Sequence, residues 1–488
     1  MGVVSSQSFK NLISTYAGFA IGALNVLILY PYFLSQEYYG LVTFLLSAAN
    51  LFWPFMAAGF HNAIIRFYSA YQKKEDKDSF LSLALVIPLI TGSMIGLLSW
   101  WLYDYILAYF SDKNQLIQPY AWLIVPLGVL SAYFEMFYSW VKVFLKSVFG
   151  NLMKEIFHRL AITILLGLLY FKLIEIDNFI YYLALIYLLR VLVIGIYALQ
   201  VYRPRFQLRL LYNYKSVLSY SALILLAGFI AVALFDLDKV MIEYFMPVEN
   251  VPVYGIAVYI AAVIAVPVKA MNQIAKPLTA SYINEDKLKQ LEDLYQRSSI
   301  TLLIISGFIF LLIVCNLDQI YAIIPAEYRG GYMIVIWIGL IKVFDNLLGN
   351  GGSILYYSDY YKVTLVGGLI IVTLAILFNV ILIPMYGILG AGIATFLAFL
   401  LYDLLKLILV YRRFKIIPFN VKTFYVIILL SVLYLVFAYW TFGFHPLIDI
   451  VLKSLIISTL FIFLVMRFHL SDDLNSILRT FFDKKKNL

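Results

Sequence analysis

An all-α integral membrane protein of about fourteen spans is what this sequence predicts, and three observations predict it. The 488 residues are 64% hydrophobic but only 13% charged, with a mean hydropathy of +0.92, where a soluble domain carries about 25% charged residues. The apolar runs are continuous and long enough to cross a bilayer as helices, not alternating as in a membrane β-barrel. Lys and Arg also gather on every second turn between the runs. Cys315 is the one cysteine, so no intramolecular disulfide forms. The chain has no P-loop for ATP hydrolysis and no metal-ligand spacing among its four histidines.

Spans are expected at 10–34, 39–68, 79–107, 119–145, 153–172, 178–202, 216–245, 253–282, 298–318, 331–357, 362–384, 387–411, 420–443 and 447–467. The first follows "MGVVSSQSFK" with no A-x-A-like cleavage site, so no removable signal is expected. The stretch before and into the second span, "LSQEYYGLVTFLLSAANLFWPFMAAGF", has a counterpart before the eighth, "MPVENVPVYGIAVYIAAVIAVPVKAMN". Each reads as an acidic turn, Tyr-Gly, then an apolar run broken by Pro. Their separation equals six spans, so the repeats are parallel. This divides the chain into a first lobe at 1–214, a second lobe at 215–415 and accessory helices with a tail at 416–488.

Orientation follows from the basic residues. With the N-terminus inside, cytoplasmic segments such as "YQKKEDKD", "YRPRFQLRLLYNYK", "YRRFKIIPFNVK" and the tail hold about 23 Lys and Arg, and the outer segments hold Lys113, Lys172, Arg329 and Lys453. The N- and C-termini are therefore both expected inside. The net charge of +9 reflects this bias and points to anionic headgroups of membrane lipids rather than to nucleic acid.

Nine basic residues remain within or near the spans: Arg66, Lys142, Arg159, Arg190, Lys239, Lys269, Lys276, Lys342 and Lys406. Each costs about 2.5–3.5 kcal/mol at a helix centre, so they are expected to face acids, one another or a wet cavity. In the eighth span Lys269, Asn272, Gln273 and Lys276 follow i, i+3, i+4, i+7 and share a face between Pro267 and Pro277. That face reads as an anion-binding wall, or as two lysines snorkelling to the cytoplasmic interface. Asn62 and Arg66 lie one turn apart at the end of the second span, where the Arg fork suits phosphate or lipid headgroups. Glu155 and Arg159 are spaced as a structural ion pair. Arg190 lies mid-span with no acidic neighbour in sequence. In "LFDLDKVMIEYF", Asp236, Lys239 and Glu243 form one stripe and Asp238 points away from it. These four read as a latch between lobes or as a coupling site for H⁺ or Na⁺. Glu135, Asp345 and Asp403 are further in-span acids.

Three segments resemble one family. "YGLVTFLLSAANLFWPFMAAGFHNAIIRFY", "FDLDKVMIEYFMPVENVPVYGIAVYIAAV" and "LFNVILIPMYGILGAGIATFLAFLLYDLLKL" are similar to the second helix, the start of the second lobe and the eleventh and twelfth helices of polysaccharide exporters of the MOP superfamily, the Wzx-type O-antigen and capsule flippases. The resemblance implies two six-helix lobes in a V around a cavity, plus two C-terminal helices, as in MATE transporters and the MurJ lipid II flippase. It implies movement of a polyprenyl-pyrophosphate-linked oligosaccharide across a bacterial inner membrane, with no cofactor, alongside polysaccharide polymerase or ligase machinery. Lipid II flippases carry cavity arginines on the first, second and eighth helices; here Arg66 and Lys269 match two of these, and the first helix offers only Asn25.

The sequence therefore reads as a flippase for surface polysaccharide or lipopolysaccharide assembly, not an enzyme. Its expected cargo-binding residues are Arg66, Arg190, Lys269, Lys276, Asn62, Asn272 and Gln273, with no metal site. A cation-coupled drug exporter on the same fold is the alternative, and a membrane glycosyltransferase or ligase is the alternative from another class. The topology has a direct check. In a Cys315→Ser background, Lys74→Cys is expected to react with an impermeant maleimide from the cytoplasmic side and Arg329→Cys from the outer side; labelling of both from one side would overturn the arrangement.

Overall fold

The computed structural model describes residues 3–105, 114–209, 211–358 and 360–471. Among them there is no strand, and twelve helices are long and apolar enough to cross a membrane. Two further stretches of the fourteen expected spans fall short of that standard. Ser147–Tyr170 carries Lys154, Glu155 and Arg159 within its first turns, and Val421–Phe437 is 17 residues long. The chain divides into two compact units, Met1–Pro252 and Val253–Leu488.

The first unit contains α1 (Val3–Leu24), α2 (Gln36–Ala57), α3 (Phe60–Phe67), α4 (Lys74–Trp101), α5 (Ile124–Val143), α6 (Ser147–Leu152), α7 (His158–Tyr170), α8 (Ile176–Val201) and α9 (Tyr214–Phe245). The helix Tyr214–Phe245, which the sequence repeat gives to a second lobe, packs here on α2 and α3. Two regular helices are interrupted by π turns. Asn25–Leu29 continues α1, and Met153–Phe157 joins α6 to α7. The expected second span, 39–68, is broken: Ala58 and Gly59 are both left-handed (φ 48° and 68°), which ends α2 and restarts the chain as α3. Within lipid, helices gain little from burying oil against oil, so packing and polar contacts hold them. Met56, Phe80, Phe134 and Trp140 fill the centre of this unit. Leu97, Trp100 and Trp101 on α4 face outward, as lipid contact requires, and the tryptophans at its end suit the headgroup level.

The second unit opens with α10 (Asn250–Ala262), a 3₁₀ turn at Val263–Ala265 and α11 (Val266–Asn284). The eighth span is thus two helices, restarted at Pro267, where a missing N–H costs nothing. Then come α12 (Leu288–Cys315), α13 (Tyr332–Leu347), α14 (Tyr361–Tyr386), α15 (Ile388–Phe414), α16 (Val421–Phe437) and α17 (Pro446–Arg467). Asn420 caps α16 with a reciprocal Thr423 box. α17 is fixed to the end of α12 by two polar contacts: Lys453 Nζ donates to the Cys315 carbonyl, and Asn316 Nδ2 donates to Ser454 Oγ at 3.2 Å.

α14 and α15 turn back on each other through Gly387 alone, with φ 60° and ψ −141°. That region is open essentially to glycine. Gly387→Ala is expected to cost about 1–3 kcal/mol, read as a lowered melting temperature of the detergent-solubilised protein; an unchanged melt would show that the turn relaxes freely.

Candidate functional site

A cavity of about 390 Å³ opens inside the first unit. α2 contributes Asn50 and Trp53, and α5 contributes Phe134 and Glu135. The π turn and the start of α7 contribute Lys154, Glu155, His158 and Arg159. α8 adds Tyr187 and Arg190, and α9 adds Asp236. The lining therefore mixes cations, carboxylates and aromatic rings in a region otherwise built of hydrocarbon.

Each cavity carboxylate has a basic neighbour. Glu135 Oε1 lies 2.6 Å from Lys154 Nζ. Glu155 Oε2 lies 3.7 Å from Arg159 Nη2, one helical turn away. Asp236 Oδ1 lies 2.8 Å from Lys239 Nζ and accepts from Ser47 Oγ at 3.0 Å, while its Oδ2 accepts from Asn50 Nδ2 at 3.2 Å. Arg190 is different. It is buried, its Nε donates to the Met153 carbonyl at 3.1 Å, and its Cζ lies 3.6 Å from the centre of the Phe134 ring. No carboxylate pairs with it among the described residues. Three acids and the three bases Lys154, Arg159 and Arg190 line the cavity; Lys239 takes up Asp236 from beyond the lining, which leaves the Arg190 charge without an acid of its own. The aromatic face and the carbonyl hold that charge in place and leave the rest of the guanidinium fork for an anion.

Of the cargo-binding residues expected from sequence, only Arg190 lines this cavity. Arg66 is exposed on α3 with its Cζ over the ring of Tyr220 at 4.4 Å. Asn62 lies 3.2 Å from the His61 ring nitrogen. The break at Ala58–Gly59 separates both from the axis of α2. In the second unit Lys269 and Lys276 are exposed on α11 and Asn272 is half-buried; the side chain of Gln273 lies outside the described ones, as does the basic tail beyond 471. Asp238 is buried on α9. Glu243 is held by Asn114, whose Nδ2 donates to Oε1 at 2.8 Å and whose Oδ1 accepts from the Val248 N–H at 2.8 Å. Asn114 thus closes off the end of α9.

Sequence reasoning gave no cargo role to Lys154, His158, Trp53 or Tyr187. The π turn that sets Lys154 beside Glu135 leaves no periodic signature in the sequence. A second charged cluster lies in the second unit, where Lys406 Nζ is 2.9 Å from Asp345 Oδ1 and 2.6 Å from Asp403 Oδ1. There one lysine serves two buried acids and joins α13 to α15.

A family model described as "Polysaccharide biosynthesis protein" matches residues 7–282, more than half of the chain and all of the cavity. The chain belongs to that family. No curated protein matches this polysaccharide biosynthesis protein in sequence. Its fold is similar to that of solved membrane proteins. The lipid II flippase MurJ in an inward closed conformation gives a TM-score of 0.71 at 17% identity, over 94% of this chain and 98% of that one. An inward-facing multidrug resistance MATE transporter of the MOP superfamily gives 0.63 at 14% identity, over 82% and 94%. The Vibrio cholerae MATE transporter VcmN in its bent form gives 0.55 at 14%, over 90% and 100%. At such identities the likeness establishes the fold alone: an all-helical multi-pass membrane fold like that of MurJ and the MATE transporters.

The Asp236–Lys239 pair gives a stability test. Asp236→Asn leaves a half-buried lysine without its acid and is expected to cost up to about 3 kcal/mol. The double variant Asp236→Asn/Lys239→Met is expected to recover most of that loss in thermal melts. A double variant as unstable as the single one would show that the pair is not the source of the cost.

Proposed function

We propose that this polysaccharide biosynthesis protein is a flippase. It carries a polyprenyl-pyrophosphate-linked oligosaccharide from the cytoplasmic to the periplasmic leaflet of a bacterial inner membrane, by alternating access and without chemistry on the cargo. The observation that carries the reading is Arg190: a buried guanidinium, steadied by a ring and a carbonyl, beside a cavity whose acids already have bases. A cation in that state is completed by an anionic ligand. A diphosphate supplies the charge and the acceptor oxygens that the fork takes up in pairs, while Trp53 and Tyr187 offer flat faces to a sugar ring.

The family description supports a role in polysaccharide synthesis, and the positive-inside pattern supports both termini in the cytoplasm. The cavity's pairing pattern favours anionic cargo over a cationic drug, which needs an acid free to receive it. Lys269, Lys276, Arg66, Asn62, Asn272 and Gln273 remain in the proposal as guides for the headgroup on its way in. Asp236, Asp238, Lys239 and Glu243 hold α9 and act in gating, with H⁺ or Na⁺ as the coupling ion. A polymerase or ligase takes the delivered lipid-linked sugar.

The test is flipping of an undecaprenyl-pyrophosphate-linked sugar in proteoliposomes. Arg190→Gln is expected to slow transport about tenfold or more, the range of a charge-assisted hydrogen bond, with normal membrane insertion. Arg190→Lys keeps the charge but loses the fork and falls between. Full transport by Arg190→Gln would remove the cavity from the pathway.

A further inference from the structure

We propose that Arg159 is a second phosphate-binding arginine of the cavity and that Asn25, on the first helix, is the residue that positions it. The inference rests on the diphosphate reading of the cavity given above and adds two residues that the sequence assigns only to an ion pair and to no charge role at all.

Arg159 lines the cavity, yet its partnership with Glu155 is loose. The 3.7 Å separation lies beyond hydrogen-bond range, so the two attract without a shared proton. Arg159 Nη1 is buried and has no hydrogen-bond partner. A buried guanidinium N–H left unsatisfied costs about 1–3 kcal/mol or more, and a turn of the partly exposed side chain toward an acceptor in the cavity removes that cost. α7 and α8 then each present one arginine, which matches a ligand with two phosphoryl groups.

The main chain at Arg159 is gripped from the first helix. Asn25 is buried and opens the π turn Asn25–Leu29. Its Nδ2 donates to the Arg159 carbonyl at 2.9 Å. Thr163 Oγ1 closes the loop, 2.7 Å from Asn25 Oδ1 and 2.9 Å from the same Arg159 carbonyl. Seven residues before Asn25, Gly18 meets the Glu155 carbonyl so closely that a Cβ there would overlap it. α1 is therefore seated along the π turn of Met153–Phe157, and Asn25 fixes the rotation of α7 at the point where Arg159 leaves it. A helix that slips by one residue turns its side chains by about 100°, so this grip decides whether Arg159 faces the cavity.

The experiment uses full-length purified protein in detergent and measures binding of farnesyl pyrophosphate, a soluble isoprenoid diphosphate without sugar. Arg159→Gln is expected to weaken binding about tenfold or more. Glu155→Gln is expected to tighten it, because the competing carboxylate is gone; loss of fold does not mimic a gain. Asn25→Leu is expected to weaken binding, and Asn25→Leu/Arg159→Gln to be no weaker than Arg159→Gln alone, since the two residues act through one contact. If Arg190→Gln loses binding while Arg159→Gln binds as wild type, the assignment of Arg159 fails and the cavity reading stands. If Glu155→Gln weakens binding as much as Arg159→Gln, the pair is structural and the assignment fails. If the double variant is weaker than Arg159→Gln alone by the full effect of Asn25→Leu, the positioning role fails. Wild-type protein that binds no farnesyl pyrophosphate overturns both this inference and the cavity reading beneath it.

Discussion

A charge inside hydrocarbon must be neutralised, hydrogen-bonded or brought to water, and the architecture of this protein follows from how it meets that demand. An unmatched base costs about 2.5–3.5 kcal/mol at a helix centre. Lys239 and Lys406 meet carboxylates at 2.8 and 2.6–2.9 Å, and each such contact ties its helix to a neighbour or stiffens its own. Arg66, Lys142 and Lys342 lie over the rings of Tyr220, Tyr138 and Phe399. Lys269 and Lys276 stay exposed. Arg190 and Arg159 are left incompletely served, and both line the same cavity.

The backbone departs from regular helix close to these residues. The π turn at Met153–Phe157 places Lys154 and Glu155 on the cavity wall, and the carbonyl that begins it is taken up by Arg190. The π turn at Asn25 faces the start of α7. Irregular backbone within a membrane survives where side chains or water satisfy its polar groups, and single π turns recur at functional sites. The same arginine that has no acid of its own completes the main-chain hydrogen bonding at this turn.

Much of this was legible in the sequence. Hydropathy placed the helices because crossing a membrane needs long apolar runs, and i, i+3 and i, i+4 spacing anticipated Asp236 with Lys239 and Glu155 with Arg159. Pro267 stood out only as one bracket of a polar face in an unbroken eighth span, where the structure restarts the helix. Less local features were hidden. Arg66 shares a face with Asn62, but the left-handed pair at Ala58–Gly59 turns that face away from the α2 axis, and alanine gives no hint of a left-handed conformation. Asn25 carries no charge and no motif; its importance comes from a carbonyl 134 positions later in the chain. Glu135 was visible as a lone acid, but its partner Lys154 belongs to another helix.

The anchoring of the last helix carries its own consequence. Among the described residues Lys453 forms no ion pair; it reaches the carbonyl of Cys315, the closing residue of α12. That carbonyl is among those a helix leaves unused at its end, where the summed peptide dipoles concentrate negative potential equal to about half an electron. The lysine's hydrogen bond is thus made to the ending of a helix rather than to a side chain. The contact uses the main chain at position 315, so the electrical seat of α17 outlasts a change of the thiol for a side chain of similar size in that buried place, as long as α12 stops where it does.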